Sequence, residues 1–166
     1  GLLALDPRAS TPTLRRIFVG GAVSAVAVEG GFAWVGTAGA RLLLVDLSTG
    51  LPLDTVDLPA PALDIALDGG VAAVTLNQSL LTFEQVGGSI VALGQVNLNL
   101  ASPEVVTGRR RVFAGDGLAF VNDLDGFGRF NLFDPRAPFK VSTSQSYGPA
   151  SFKQIVPTGS GFGLAV

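Results

Sequence analysis

The chain has 166 residues, of which 48% are hydrophobic and 14% charged, and its formal net charge is −2. So apolar a composition excludes intrinsic disorder, and the lack of excess positive charge argues against nucleic acid as a partner. Because the sequence contains no Cys, Met or His, thiolate nucleophiles, disulfides, imidazole bases and the usual nitrogen and sulfur metal ligands are excluded as well.

The first apolar run begins the chain, at residues 2–5, and is closed by Asp6. A start at Gly1 without Met indicates a processed or excised piece, and no signal peptide is recognisable there. Residues 17–40 carry Glu29 as their single charge and are long enough to span a membrane. Glu29-Gly30-Gly31 interrupts the middle of that stretch, however, and its valines favour strands, so we predict no transmembrane span.

Residues 17–22 and 43–46 together imitate the start of a dinucleotide-binding fold, with an apolar strand, a glycine pair and a second strand tipped by Asp46. Gly20-Gly21 lacks the G-x-G-x-x-G spacing of such folds. The helix that the fold requires would also have to run through Glu29-Gly30-Gly31. We therefore interpret the region as strands.

Two patterns recur along the whole chain. The first is a turn followed by a run of small apolar residues, whose first strand residues, Phe32, Val71, Leu118 and Phe162, are separated by 39, 47 and 44 residues. The second is an apolar run closed by an acid, as in Leu42-Leu43-Leu44-Val45-Asp46, and it recurs at 2–6, 80–84 and 130–134. Self-similarity at about 40 residues is typical of repeat architectures.

Each period reads as four short strands, for example 22–28, 32–37, 41–46 and 52–58, and no 3.6-residue apolar stripe predicts a helix. The predicted fold is therefore all-β, a β-propeller of four-stranded antiparallel blades. We predict one domain over 1–166, with half-blades at 1–20 and 152–166 and whole blades at about 22–58, 62–98 and 109–146. This organisation favours part of a larger propeller over a closed four-bladed ring.

The recurring segments resemble the LVIVD-repeat β-propellers, whose units read approximately "AYV…G…GLxIxDxSxPxxP". The residues that carry the resemblance are 32–36, 41–48, 118–121 and 130–138. The second repeat departs from the pattern, because it lacks the proline turn and ends in Glu84. The resemblance implies a large secreted or surface-attached bacterial protein, and it supplies no catalytic signature.

A calcium site is one candidate for the chemistry of this chain. Asn122, Asp123 and Asp125 offer clustered oxygen ligands within one loop, which Ca²⁺ favours. Val121 stands where an EF-hand-like loop needs a ligand, and no closing Glu follows. A plain hairpin turn between the second and third strands explains the same residues.

A ligand or partner site is the second candidate. Arg109, Arg110 and Arg111 form the one basic run, and arginine grips carboxylates and phosphates through two parallel hydrogen bonds. A solvated strand entrance is the alternative interpretation of this run. In a propeller, loops between the second and third strands share a face with loops between blades, so Asn77 and residues 122–125 are expected to lie on the face that carries the arginines.

The leading functional hypothesis is a non-catalytic propeller scaffold or interaction module of a larger, extracytoplasmic protein. Its partners would be proteins or other domains of the same parent protein, with no cofactor. The alternative is a propeller hydrolase or lactonase that uses an oxygen-ligated calcium ion. Millimolar Ca²⁺ would stabilise that enzyme by mass action and would not stabilise a plain scaffold.

Overall fold

A computed structural model of the chain describes residues 1–5, 14–99, 110–123, 126–145, 155–157 and 163–165. Within these ranges the chain forms sixteen β-strands and no helix. A helix long and apolar enough to cross a membrane is accordingly not found among the described residues.

The strands form three four-stranded sheets and two two-stranded ones, each an antiparallel meander in chain order. The first two-stranded sheet contains β1 (Leu2–Leu5) and β2 (Leu14–Ile17). Sheet I contains β3 (Val23–Glu29), β4 (Phe32–Thr37), β5 (Arg41–Asp46) and β6 (Leu51–Asp57). Sheet II contains β7 (Asp64–Asp68), β8 (Val71–Thr75), β9 (Ser79–Val86) and β10 (Ser89–Asn97). Sheet III contains β11 (Val112–Gly115), β12 (Leu118–Asp123), β13 (Gly126–Asn131) and β14 (Phe139–Gln145). The last two-stranded sheet contains β15 (Ile155–Pro157) and β16 (Gly163–Ala165).

Glycine pairs set the register of the first hairpin in sheets I and II. Glu29 pairs with Phe32 across Gly30 and Gly31, whose φ angles are 57° and 85°, and Asp68 pairs with Val71 across a second Gly-Gly turn. Two successive residues with positive φ make the hairpin turn whose twist matches that of the flanking strands, and glycine adopts it without steric cost. The short period of the repeat follows from these tight turns.

The two middle strands of sheet I are buried on both faces. Ala33, Val35 and Val45 pack on β1 and β2, while Trp34 and Leu44 on the opposite face pack against sheet II. A continuous apolar run such as residues 42–45 is therefore the pattern of a strand enclosed between two sheets. A second buried cluster lies between sheets II and III.

Polar side chains cross from one sheet to the backbone of the next. Between sheets I and II, the Asp54 carboxylate accepts a hydrogen bond of 2.7 Å from the Ile90 N–H. Between sheets II and III, Asp64 accepts from the Val112 N–H at 3.0 Å, and Asp68 accepts from the Gly117 N–H at 2.7 Å. Lys140 of sheet III donates to the carbonyl oxygens of Leu98 and Asn99 at 2.9 and 3.0 Å. These bonds fix each sheet against its neighbour.

Backbone meets backbone at Gly94, beside a bulge in β10. A Cβ atom at this position would lie 2.6 Å from the Cδ of Pro138 and 2.7 Å from the carbonyl oxygens of Arg136 and Pro135. The buried Thr82 hydroxyl donates to that Pro135 carbonyl at 2.5 Å. Only glycine therefore allows the outer strand of sheet II to approach the turn before β14 so closely.

The predicted all-β fold with four-stranded antiparallel sheets is confirmed. β3 occupies the segment that the dinucleotide-binding alternative needs as a helix, so that alternative is wrong. Strands β1–β2 and β15–β16 belong to two separate two-stranded sheets.

Candidate ligand site at the start of the inner strands

Antiparallel order gives every four-stranded sheet two different ends. The first and last hairpins lie at one end, which we call the hairpin end. The middle hairpin and the segments that enter and leave the sheet lie at the other, which we call the connection end. Hydrogen bonds between loops hold the connection end together. The Ala38 N–H donates to the Ala22 carbonyl at 2.9 Å, and the Leu98 N–H donates to the Gln78 carbonyl at 2.9 Å.

A cavity of about 210 Å³ opens at the connection end, where β3, β7 and β11 begin. These three first strands of successive sheets lie side by side. The lining residues come from sheet I, from the start of sheet II and from the segment before sheet III: Val23, Ser24, Ala25, Val26, Leu63, Asp64, Arg110 and Arg111. Four of the lining side chains are thus apolar, and three are charged.

The arginine run divides between buried and exposed positions. Arg110 is only 1% exposed, whereas Arg111 is exposed, and both line the cavity. A solvated strand entrance is therefore the wrong interpretation for Arg110. Arg109, the third arginine of the run, lies outside the described residues.

Asp64 is the acidic group of the cavity, and sequence reasoning missed it. Its Oδ2 atom accepts the hydrogen bond from Val112, the residue directly after Arg111. That bond ties the segment with the two arginines to the first strand of sheet II. The signal in the sequence was an acid that opens an otherwise apolar strand, Asp64-Ile65-Ala66-Leu67.

The predicted calcium ligands are only partly described. Asn122 is half-buried at the end of β12, and its side-chain oxygen accepts a hydrogen bond from the Arg111 N–H. The backbone of Asp123 pairs with that of Gly126, and Asp125 lies outside the described residues. Within the described ranges, no three acidic side chains gather closely enough to hold a metal ion. The calcium site stays a prediction.

Asn77, the remaining predicted ligand residue, is exposed in the turn between β8 and β9. That turn lies at the connection end, where the Leu76 N–H donates to the Ser79 carbonyl at 2.8 Å. Asn77 does not line the cavity. The structure therefore groups Arg110 and Arg111 with Asp64, and it leaves Asn77 on the surrounding surface.

Charge is distributed unequally between the two ends of the sheets. Three arginines and two acids lie at the connection end, namely Arg41, Arg110, Arg111, Asp57 and Asp64, and Arg41 donates there to the Gly20 carbonyl at 3.0 Å. Six acids lie at or near the hairpin end: Glu29, Asp46, Asp68, Glu84, Asp116 and Asp134. Glu84 forms an ion pair of 3.6 Å with Arg136. This arrangement favours an anion at the connection end over the opposite one.

Asp46 caps the turn after β5. Its Oδ1 atom accepts hydrogen bonds of 2.7 Å from both the hydroxyl and the N–H of Ser48, and Oδ2 accepts from the Thr49 hydroxyl at 3.1 Å. The Ser48 hydroxyl is the main group that lowers the pKa of the Asp46 carboxyl below its usual value of 3.8, because it stabilises the charged form.

We expect Asp46 to contribute to the acid sensitivity of folding. Because the folded pKa is the lower one, the stabilisation is complete above the unfolded pKa of about 4 and is lost as pH falls through the folded pKa. Asp46→Asn should therefore be less stable than wild type at neutral pH, and the gap should narrow below about pH 4. Urea denaturation of both proteins between neutral and acidic pH measures it. A gap that is independent of pH would contradict this role.

Comparisons with known proteins show the fold of this chain and assign it to no family. No protein-family model matches the chain, and no curated protein matches it. A functionally unknown protein from Desulfotomaculum acetoxidans superposes with a TM-score of 0.75 at 15% identity, over 96% of this chain and 53% of its own. Apo AztD from Citrobacter koseri gives a TM-score of 0.68 at 19% identity, over 90% of this chain and 43% of its own. The β-propeller domain of Cps50 (Swd1) from Myceliophteria thermophila gives 0.67 at 10% identity, over 92% and 55%.

The fold is a β-propeller. Sheets I, II and III are its blades, and β3, β7 and β11 are the innermost strands of those blades. The chain spans about half the length of these similar structures. At identities below 25%, the likeness concerns the fold alone, and the function has to be argued from the residues of this chain.

Proposed function

We propose that this chain is a non-catalytic β-propeller module of a larger, extracytoplasmic protein, and that it binds a protein partner or a neighbouring domain at its connection end. The likeness of residues 32–36, 41–48 and 130–138 to LVIVD repeats supports the extracytoplasmic setting. Loops on a rigid scaffold are where binding residues collect, and the blades supply that scaffold.

The observation that carries this proposal is that three of the described carboxylates hold neighbouring blades together. Asp54, Asp64 and Asp68 each accept a hydrogen bond from a backbone N–H of the next blade. Such carboxylates hold the blades in register. A hydrolase instead needs a carboxylate placed to exchange a proton with substrate or a nucleophile held beside its base. The hydrogen bonds of these three carboxylates thus favour a scaffold.

The alternative, a hydrolase with calcium bound at residues 122–125, makes an opposite prediction about Ca²⁺. A calcium site with a Kd one hundredth of the Ca²⁺ concentration would stabilise the chain by about 2.7 kcal/mol, which raises Tm by roughly 5–10 °C in a chain of this size. We expect no such rise for the module. Thermal unfolding in millimolar CaCl₂, with MgCl₂ as the control salt, measures the difference.

The double variant Asp123→Asn/Asp125→Asn is the matched control, because it removes both carboxylates and keeps their size. A wild-type Tm that rises with Ca²⁺, together with a variant whose Tm does not, would contradict the proposal. Hydrolysis of a lactone or an aryl ester by the wild type, lost in the same variant, would contradict it as well.

A further inference from the structure

We propose that two copies of this chain close one propeller ring, in which the β15–β16 sheet of each copy joins the β1–β2 sheet of the other to make a complete blade. The ring then contains two such composite blades and the three four-stranded blades of each copy. The inference goes beyond the proposed function and does not depend on it.

Strands β1 and β2 occupy the outer half of a blade. Arg15 of β2 donates a hydrogen bond of 2.9 Å to the Ser48 carbonyl, in the turn between β5 and β6, which are the two outer strands of blade I. Among the described strands, β1 pairs with β2 alone, so the inner edge of β1 is open to a further strand. Such an edge is a template for pairing with another chain.

Strands β15 and β16 occupy the inner half of a blade. β15 lies beside β11, the innermost strand of blade III, just as β11 lies beside β7 and β7 beside β3. Within the described ranges, β16 pairs with β15 alone and therefore also has an open edge. β16 is thus a second strand that can accept a third, and β1 of another copy is a third strand that can accept a second.

The apolar face of β3 lies where inner strands of such a composite blade would cover it. The register of the hairpin turns makes Val26 and Val28 equivalent to Ile65 and Leu67 of β7. Val26 and Val28 are 45% and 60% exposed, whereas Ile65 is 5% exposed and Leu67 is half-buried against blade I. β7 is covered because the inner strands β3 and β4 pack on it. β15 and β16 of a second copy would cover β3 in the same way.

Leu3 of β1 shows the same difference on the neighbouring face. Leu2 and Ala4 pack on blade I, so Leu3, which stands between them, faces the opposite side of the strand. Leu3 is 62% exposed, whereas Leu43 and Leu81, at the same place in their acid-closed runs, are 4% and 9% exposed. The preceding sheet covers each of these two leucines. In the ring, blade III of the second copy covers Leu3.

The length and curvature of the chain favour a second copy as the occupant of this face. The protein from Desulfotomaculum acetoxidans superposes over 96% of this chain and 53% of its own, with a TM-score of 0.75. The chain therefore follows the curve of a propeller about twice as long, and one further copy fills the remainder. A head-to-tail contact gives a ring when the rotation closes and a filament when it does not. This curve closes at two copies.

The first test is the mass of the chain in solution. Sedimentation equilibrium over protein concentrations from low micromolar to millimolar should show a species of twice the 17.0 kDa of the chain and nothing larger. A monomer over the whole range would overturn the proposal. A series of larger species that grows with concentration would overturn it too, because it would mean that the contact does not close.

Two variants assign the dimer to the proposed faces. Val28→Lys and Leu3→Lys each place an ammonium group where the side chain is exposed in one copy and buried in the ring. The fold should stay intact by circular dichroism, and the dissociation constant of the dimer should rise about 100-fold or more, since burial of an unpaired charge is costly. Val86→Lys is the matched control, because Val86 is 54% exposed on blade II, which lies between blades I and III of one copy. Equal effects of all three substitutions would contradict the assignment.

Amide hydrogen exchange then tests the strand pairing itself. N–H groups of β1 and β16 should exchange about tenfold or more slowly in the dimer than in a sample diluted to monomer, because the paired edges protect them. β8 is the internal control, since its two neighbours, β7 and β9, belong to the same copy. A dimer in which β1 and β16 exchange as fast as in the monomer joins at another surface, and this result would overturn the proposal.

Discussion

Phe130→Ala should destabilise the chain by about 3–5 kcal/mol, the usual cost of removing a large aromatic side chain from a packed core. Phe130 is 0% exposed and belongs to the cluster between blades II and III, with Leu80, Leu98 and Val112 among its members. The variant leaves a cavity that these residues cannot fill without moving a whole sheet. At roughly 2–4 °C per kcal/mol, the expected fall in Tm is about 6–20 °C.

Phe18→Ala is the matched control, since Phe18 is 84% exposed and its loss should change the stability by no more than about 0.5 kcal/mol. Urea denaturation and thermal unfolding of the three proteins measure both effects. Similar losses for the two variants would mean that the interface between blades II and III is not a main source of stability.

Gly94→Ala is expected to separate blades II and III locally, at a cost of about 1–3 kcal/mol or more. The new methyl group would stand 2.6–2.7 Å from Pro138 and from the carbonyl oxygens of Pro135 and Arg136. Neither a proline ring nor a backbone carbonyl can rotate away as a flexible side chain can, so the strands must move apart.

Amide hydrogen exchange locates this change. The N–H groups of Val112 and Gly117 are bonded to acids of blade II, so their exchange should become faster in Gly94→Ala. The Ile90 N–H reports the interface between blades I and II and should change less. Gly21→Ala is the control, because its Cβ would meet only ordinary contact at 3.8 Å from Thr37. Uniform acceleration at all three amides in Gly94→Ala would contradict a local separation.

Periodicity predicted the strands well because hydrophobic spacing and Gly-Gly turns are local properties of the chain. Strands expected at 32–37 and 41–46 are observed as Phe32–Thr37 and Arg41–Asp46. The apolar runs predicted the middle strands of the blades, because stacked sheets bury both faces of those strands and apolar residues therefore fill most of their positions.

The site could not be predicted to the same extent, because its parts are distant in sequence. Asp64 acts on the amide of a residue 48 positions later, and a single sequence contains no record of that pairing. Glu29 and Asp68 occupy equivalent places before a Gly-Gly turn, yet Glu29 is exposed and Asp68 bonds to the next blade. Burial of Arg110 likewise depends on where three separate strands begin, which composition does not reveal.

The bonds between neighbouring sheets give the blades a fixed order. Arg15 of β2 donates to the Ser48 carbonyl of blade I at 2.9 Å, blades I and II are joined through Asp54 on an outer strand, and blades II and III through Asp64 and Asp68 on an inner strand. A blade placed beside the wrong neighbour would leave these carboxylates or amides without their partners, and a buried polar group without a partner is costly. Repeat proteins are prone to misassembly because their units are alike. Different residues form the hydrogen bonds at each junction, so three blades of similar shape can assemble in only one order.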